Sequence, residues 1–222
     1  MSRQRSGHAV PVVDAPTARL TRALLICGLM AGPLFVTVVA VQASTRAGFD
    51  PWRRPVSALS LGERGWIQIT DFVVVGVLSV AFAVGLRRVL RPAPATLGPP
   101  LIAVYGVGLI VTGVFVGDPG LGFPPGTEPG IPELSWHAAV HAAAPPVAFG
   151  ALIGACVVFA RRFLDSGRRG WAGFSAGTGV AALALLLWPG AGGAVRTAVA
   201  VLITSTWMTA MANDANTELR RW

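Results

Sequence analysis

His137 and His141 open an apolar stretch four residues apart, which places both imidazoles on one face of a helix. Gln68 and Asp71, three apart, share a face near the start of an earlier stretch, and Asp118 closes the stretch between them. Two imidazoles and two carboxylates at a common depth support three chemistries. The plainest is a hydrogen-bond network that joins helices. The second is a ligand or proton-relay site, with His141 as the partner expected for Asp71. The third is zinc held by His137, His141 and one carboxylate, the other carboxylate acting as general base on a bound water. The segment His137-Ala138-Ala139-Val140-His141 lacks the Glu that follows the first His in the zinc-protease helix motif, so the metal reading rests on spacing alone.

A second set of residues lies in segment 42–66. Arg53 and Arg54 are adjacent there, and Ser57 is placed to cap a short helix over 58–61. Paired guanidinium groups suit a phosphate or carboxylate, which they grip by parallel bonds. The competing expectation is ion pairing with Asp118, Glu128 and Glu133 of segment 117–135, which has no basic residue.

The elements that must position these side chains are six apolar stretches, at about 20–41, 67–86, 100–116, 136–160, 172–187 and 194–211. A helix needs about 20 residues to cross a bilayer. In lipid only helices and closed barrels satisfy the backbone, and these runs neither alternate nor stay short enough for barrel strands. The expected fold is an all-α membrane protein, a bundle of six transmembrane helices, with the fifth the shortest. Trp66, Trp136, Trp171 and Trp188 fall at the ends of stretches, where indole prefers the headgroup level. Asp71 lies five residues past Trp66, roughly 7–8 Å below that level. An ionisable side chain at such depth faces the bundle interior, a cavity or another polar group.

Composition agrees. Charged residues make up 13% of the chain, against about 25% in a soluble domain, and 53% are hydrophobic. The net charge of +8 does not point to nucleic acid, because no recognition module accompanies it. All 18 basic residues are Arg, and thirteen of them fall in the N-terminal tail through Arg22, in 87–99, in 161–170 and at the C-terminus. That asymmetry is the positive-inside pattern of an inner-membrane, multi-pass protein and puts both termini in the cytoplasm. The expected organisation is a disordered tail over 1–18, a membrane domain over 19–212 and a cytoplasmic tail over 213–222. Cys27 and Cys156 both sit inside apolar stretches and read as small packing residues.

Gly28-x-x-x-Gly32, Gly150-x-x-x-Gly154 and Gly173-x-x-x-Gly177 allow close helix approach, within one chain or in a homo-oligomer. Pro33, Pro145 and Pro146 interrupt the first and fourth stretches. The latter two leave the carbonyls of His141 and Ala142 without donors, which raises the expectation of a polar or wet cavity near His141.

The run Arg54-Pro55-Val56-Ser57-Ala58-Leu59-Ser60-Leu61-Gly62, together with Asp71, Gly113-Val114-Phe115, Asp118-Pro119 and His137, resembles bacterial membrane proteins grouped as domain of unknown function 998. The resemblance extends from about Leu24 to Met211. It implies a multi-pass helical fold and no particular activity. Val116 and Gly117 stand where the family's pattern has a Pro, and Asp71 stands where it often has Asn, which cannot ionise. The leading expectation is a non-catalytic role in binding lipid or a small amphipathic molecule at an outer-face polar pocket of Gln68, Asp71, Asp118, His137 and His141, covered by Arg53, Arg54 and Ser57. The alternatives are a membrane-embedded zinc hydrolase and a proton-coupled transporter.

Overall fold

In the computed structural model, which describes residues 15–90, 97–131, 133–189 and 192–220, the apolar stretches form six helices. They are α1 (Ala15–Thr45), α2 (Gly65–Val89), α3 (Gly98–Val114), α4 (Trp136–Asp165), α5 (Arg169–Leu187) and α6 (Gly193–Leu219), with a short 3-10 helix, Val56–Ser60, between α1 and α2. Five are long and apolar enough to cross a membrane, and α3 is a shorter apolar helix of 17 residues. The protein is an all-helical, multi-pass membrane protein.

Each helix packs on its neighbour in the chain, and α6 packs back on α1, so the bundle closes into a ring. Side-chain pairs fix the directions. Gln42 of α1 meets Gln68 of α2, whereas Leu24 lies against Gly85. Those two helices are therefore antiparallel. Phe82, Leu86, Phe159, Trp207 and Met208 fill the interior and are almost fully buried. Trp207 keeps its polar edge satisfied by donating Nε1–H to Ser175 Oγ at 3.0 Å.

Lipid tails are as apolar as leucine, so burial alone does not drive one helix onto another. Close packing does. A Cβ on Gly76 would sit 2.6 Å from the carbonyl oxygen of Gly106, and a Cβ on Gly106 would sit 2.6 Å from that of Gly76. The α2–α3 seam is backbone on backbone. Gly28 and Gly32 serve within the chain, against Phe82, Ala212 and Ser205. Gly150, Gly173 and Gly177 have open space beyond them.

Two expected boundaries shift. Helix α1 begins at Ala15, inside the segment expected as a tail, and residues 1–14 lie outside the described residues. Helix α6 runs on through Leu219, past the apolar stretch that ends at about 211, so the segment expected as a tail is helical over 213–219. The reason is a partner: Arg168 bonds both Asp214 and Glu218. Pro33, Pro145 and Pro146 all sit inside continuous helices. Trp66, Trp136 and Trp188 stand exposed at helix ends.

Candidate functional site at the loop-rich end

The two longest connections, 46–64 and 115–135, lie at the same end of the bundle and close over it. Arg46 reaches from the end of α1 to donate to the Leu61 carbonyl. Gly62 turns with φ +74°, a conformation side chains rarely adopt, and packs under Pro124. Phe123 of the second connection is fully buried and meets Phe49 of the first, with ring centroids 6.0 Å apart.

Arg54 is pinned between the two connections. Its Nη2 donates to the Leu121 carbonyl at 2.9 Å, and its guanidinium lies 4.9 Å from the Phe123 ring centroid. Arg53 instead points outward, 85% exposed, with Nε 3.5 Å from Asp50. An exposed pair of that kind contributes about 0–1 kcal/mol and leaves the arginine free to swing. Neither arginine pairs with Asp118, Glu128 or Glu133 among the described residues, so the expected ion pairing between the loops does not form. What the loops do form is a cavity of about 420 Å³, walled by Arg53, Arg54, Ala58, Leu61, Asp118 and Phe123. Ser57 is not a cap. It lies within the Val56–Ser60 helix, whose first turn is closed by the Pro55 carbonyl accepting from the Ala58 amide at 2.9 Å.

Asp118 belongs to the start of α4. It accepts from the Ser135 amide and the Ser135 hydroxyl, each at 2.7 Å. Ser135 Oγ in turn accepts from the Ala138 amide at 3.1 Å and caps the helix. These bonds hold the Asp118 carboxyl below the usual aspartate range. The sign follows. A depressed carboxylate contributes its full stability above about pH 3.9, the unfolded value, and loses it progressively as pH falls from there through the lower folded value. Asp118→Ala is expected to speed hydrogen exchange at the Ser135 and Ala138 amides at pH 7, with the difference from wild type vanishing only in strong acid. Identical exchange at neutral pH would show that Asp118 does not hold this helix start.

The two histidines share a helix face but not a task. His137 is exposed and lies against Trp136, ring centroids 3.7 Å apart and planes tilted by 49°, with Phe115 at 5.6 Å. His141 turns Nδ1 to the carbonyls of Phe115 at 2.7 Å and Thr112 at 3.1 Å. An Nδ1–H tautomer thus satisfies backbone acceptors left over at the end of α3. His141 is therefore not the partner of Asp71. Among the described residues no three His, Cys, Asp or Glu side chains gather as metal ligands would.

Asp71 is 5% exposed and takes its partner from its own helix. Its Oδ2 accepts from Gln68 Nε2 at 3.4 Å, and Gln68 Oε1 accepts from Gln42 Nε2 at 2.8 Å. Gln42 is the residue that the sequence does not single out, because it falls just past the end of the first apolar stretch, at the start of segment 42–66. The signal was a second amide at a depth matching Gln68. The expected single pocket thus has three parts: the arginine cavity with Asp118, the histidine seam between α3 and α4, whose His137 lies within electrostatic reach of Asp118, and the buried Gln42–Gln68–Asp71 chain.

A family model described as "Protein of unknown function (DUF998)" matches residues 29–214. No curated protein and no solved structure matches the chain.

Proposed function

The chain belongs to the DUF998 family of proteins of unknown function, and from that premise we propose that it binds an anionic amphiphile, a lipid or small molecule with a phosphate or carboxylate head, at the cavity between its two long connections. The observation that carries this reading is Arg54. It is fixed at the cavity wall by a carbonyl and an aromatic face before any ligand arrives, so little ordering cost is left for binding. Arg53 beside it is free to close on the head from solvent. A cavity of about 420 Å³ lies within the usual range for small-molecule sites. Asp118 lines the same cavity, but both its oxygens are engaged by Ser135.

In this reading all six helices span a bacterial cytoplasmic membrane, with both termini inside. The arginine-poor, loop-rich end faces outward, in line with the positive-inside pattern, and Trp66, Trp136 and Trp188 mark its headgroup level. Helix α3 crosses within the ring, backed by α2 and α4, and its 17 residues sit at the lower limit for a span.

Charge-assisted hydrogen bonds contribute about 1.5–3 kcal/mol each, so losing both arginines should weaken binding about tenfold or more. Adding an anionic phospholipid to the protein in neutral detergent is expected to raise its melting temperature, and a zwitterionic lipid of the same chain length to do so much less. Arg53→Ala/Arg54→Ala is expected to erase the difference between the two lipids. A variant that still prefers the anionic lipid would remove the arginines from the site.

A further inference from the structure

We propose that Gln42, Gln68 and Asp71 form a binding site for one monovalent cation, seated on Asp71 Oδ1 and Gln42 Oε1. The site is separate from the amphiphile cavity, since none of the three residues lines it, and it stands or falls independently of that reading.

The hydrogen bonds run one way. Gln42 donates to Gln68, and Gln68 donates to Asp71. Two oxygens are left over, Asp71 Oδ1 and Gln42 Oε1, and both are buried without a partner among the described residues. The residues that carry them are each 5% exposed, and Gln68 between them is fully buried. Among the described residues, both partnerless atoms of the Gln42–Gln68–Asp71 series are acceptors, so what the series calls for is a positive charge or a donor. Buried carboxylates are ordinarily matched by a cationic side chain or a bound ion.

Among the described residues no cationic side chain bonds Asp71 from the elements packed around it. From α1, Arg46 lies beyond the helix end, where Nη2 donates to the Leu61 carbonyl and Nη1 is buried without a partner among the described residues, and it is not bonded to Asp71. From α3, the nearest titratable group is Tyr105, which lies within electrostatic reach of Asp71 and carries no positive charge. On α6, Arg196 bonds the Trp188 carbonyl, while Asp214 and Glu218 bond Arg168 at the opposite end of the bundle. On α2 itself, Arg64 precedes the helix and Arg87 and Arg88 end it. The 3-10 helix packed on α1 and α2 brings no cationic residue of its own, its Ser60 hydroxyl being a further buried oxygen without a partner among the described residues. Oxygen-only donors with a single formal negative charge suit a hard monovalent ion, sodium or a proton, rather than a transition metal.

The test is thermal unfolding in nanodiscs of neutral lipid. Sodium chloride is titrated against choline chloride at constant ionic strength, and pH is then varied in choline alone. Asp71→Asn keeps the size and hydrogen-bonding capacity of the side chain and removes its charge. A sodium-dependent rise in melting temperature that Asp71→Asn abolishes identifies a sodium-class ion. A pH-dependent step present in wild type and absent from Asp71→Asn, with no sodium effect, identifies the proton. Gln42→Leu is expected to weaken the response at least tenfold in ion concentration. Identical behaviour of wild type and Asp71→Asn in both titrations overturns the site, and an undiminished response in Gln42→Leu overturns the two-residue ligand set. Should Asp71→Asn fail to fold, infrared difference spectra of the wild type decide: the carboxyl bands must change with sodium or with pH, and bands unchanged under both overturn the proposal.

Discussion

Gly76→Val should leave little monodisperse protein after extraction into mild detergent. The substitution places a Cβ 2.6 Å from the Gly106 carbonyl oxygen and 2.6 Å from Ile110 Cγ1. A flexible side chain could move aside, but the Gly106 oxygen is backbone of a helix and can yield only if α3 moves as a body. Overpacking of a rigid contact costs about 1–3 kcal/mol, and here both seams of α3 feel the shift, because α3 packs on α2 and α4 alike. A matched control is Gly173→Val on α5, where a Cβ meets nothing within 4 Å and melting should stay near wild type. Size-exclusion profiles and melting temperatures of the two variants give the comparison. Equal behaviour would mean that the α2–α3 seam does not depend on backbone contact.

Arg168→Ala should loosen the opposite end of the bundle. Arg168 precedes α5 and donates through Nη1 to Asp214 at 2.9 Å and to Glu218 at 3.0 Å, with a further bond from Nη2 to Asp214. Its guanidinium also lies 4.8 Å from the Phe163 ring centroid and 5.3 Å from that of Trp171. Truncation removes all of these contacts and leaves Asp214 and Glu218 as like charges one turn apart on α6. The side chain is 30% exposed, so solvent screens part of the gain, and a loss of about 2 kcal/mol is expected. Hydrogen exchange should rise along 214–219 while the bundle interior keeps its protection. Arg168→Lys should restore only part of the stability, because a point charge cannot hold two carboxylates in a fork or lie flat on two rings. Unchanged exchange along 214–219 would mean that α6 holds its last turns without this arginine.

The helices were legible because length and hydropathy are one-dimensional properties. A run of apolar residues long enough to cross a bilayer reads the same in the chain as in space, and Trp66, Trp136 and Trp188 mark helix ends in both. Where α6 stops was not legible. Polar residues 213–219 look like tail until Arg168, more than forty positions earlier, is seen to hold them. The candidate site was legible in its residue types but not in its pairings. His137 and His141 do share a face, yet which carbonyl or ring each meets depends on the depth at which α3 ends. At its depth Asp71 calls for a polar partner, and sequence spacing favours a histidine two helices away over Gln68 one turn back. Gln42 shows the same limit. Antiparallel packing of α1 on α2 brings it level with Gln68, and no feature of α1 alone announces it. The arginine pair was identified from charge in an unexpected place, whereas the fixing of Arg54 on Leu121 and Phe123 depends on a fold of two loops that no periodicity encodes.

The most direct measurement of the account is native mass spectrometry of the protein released from a membrane extract, comparing wild type with Arg53→Ala/Arg54→Ala and, as a control at the arginine-rich end, Arg87→Ala/Arg88→Ala. The account expects wild type and the control to retain an anionic lipid or other amphiphile with a phosphate or carboxylate head, and the Arg53→Ala/Arg54→Ala protein to lose it while keeping its fold. Retention of the same anionic species at the same occupancy in all three proteins would contradict it.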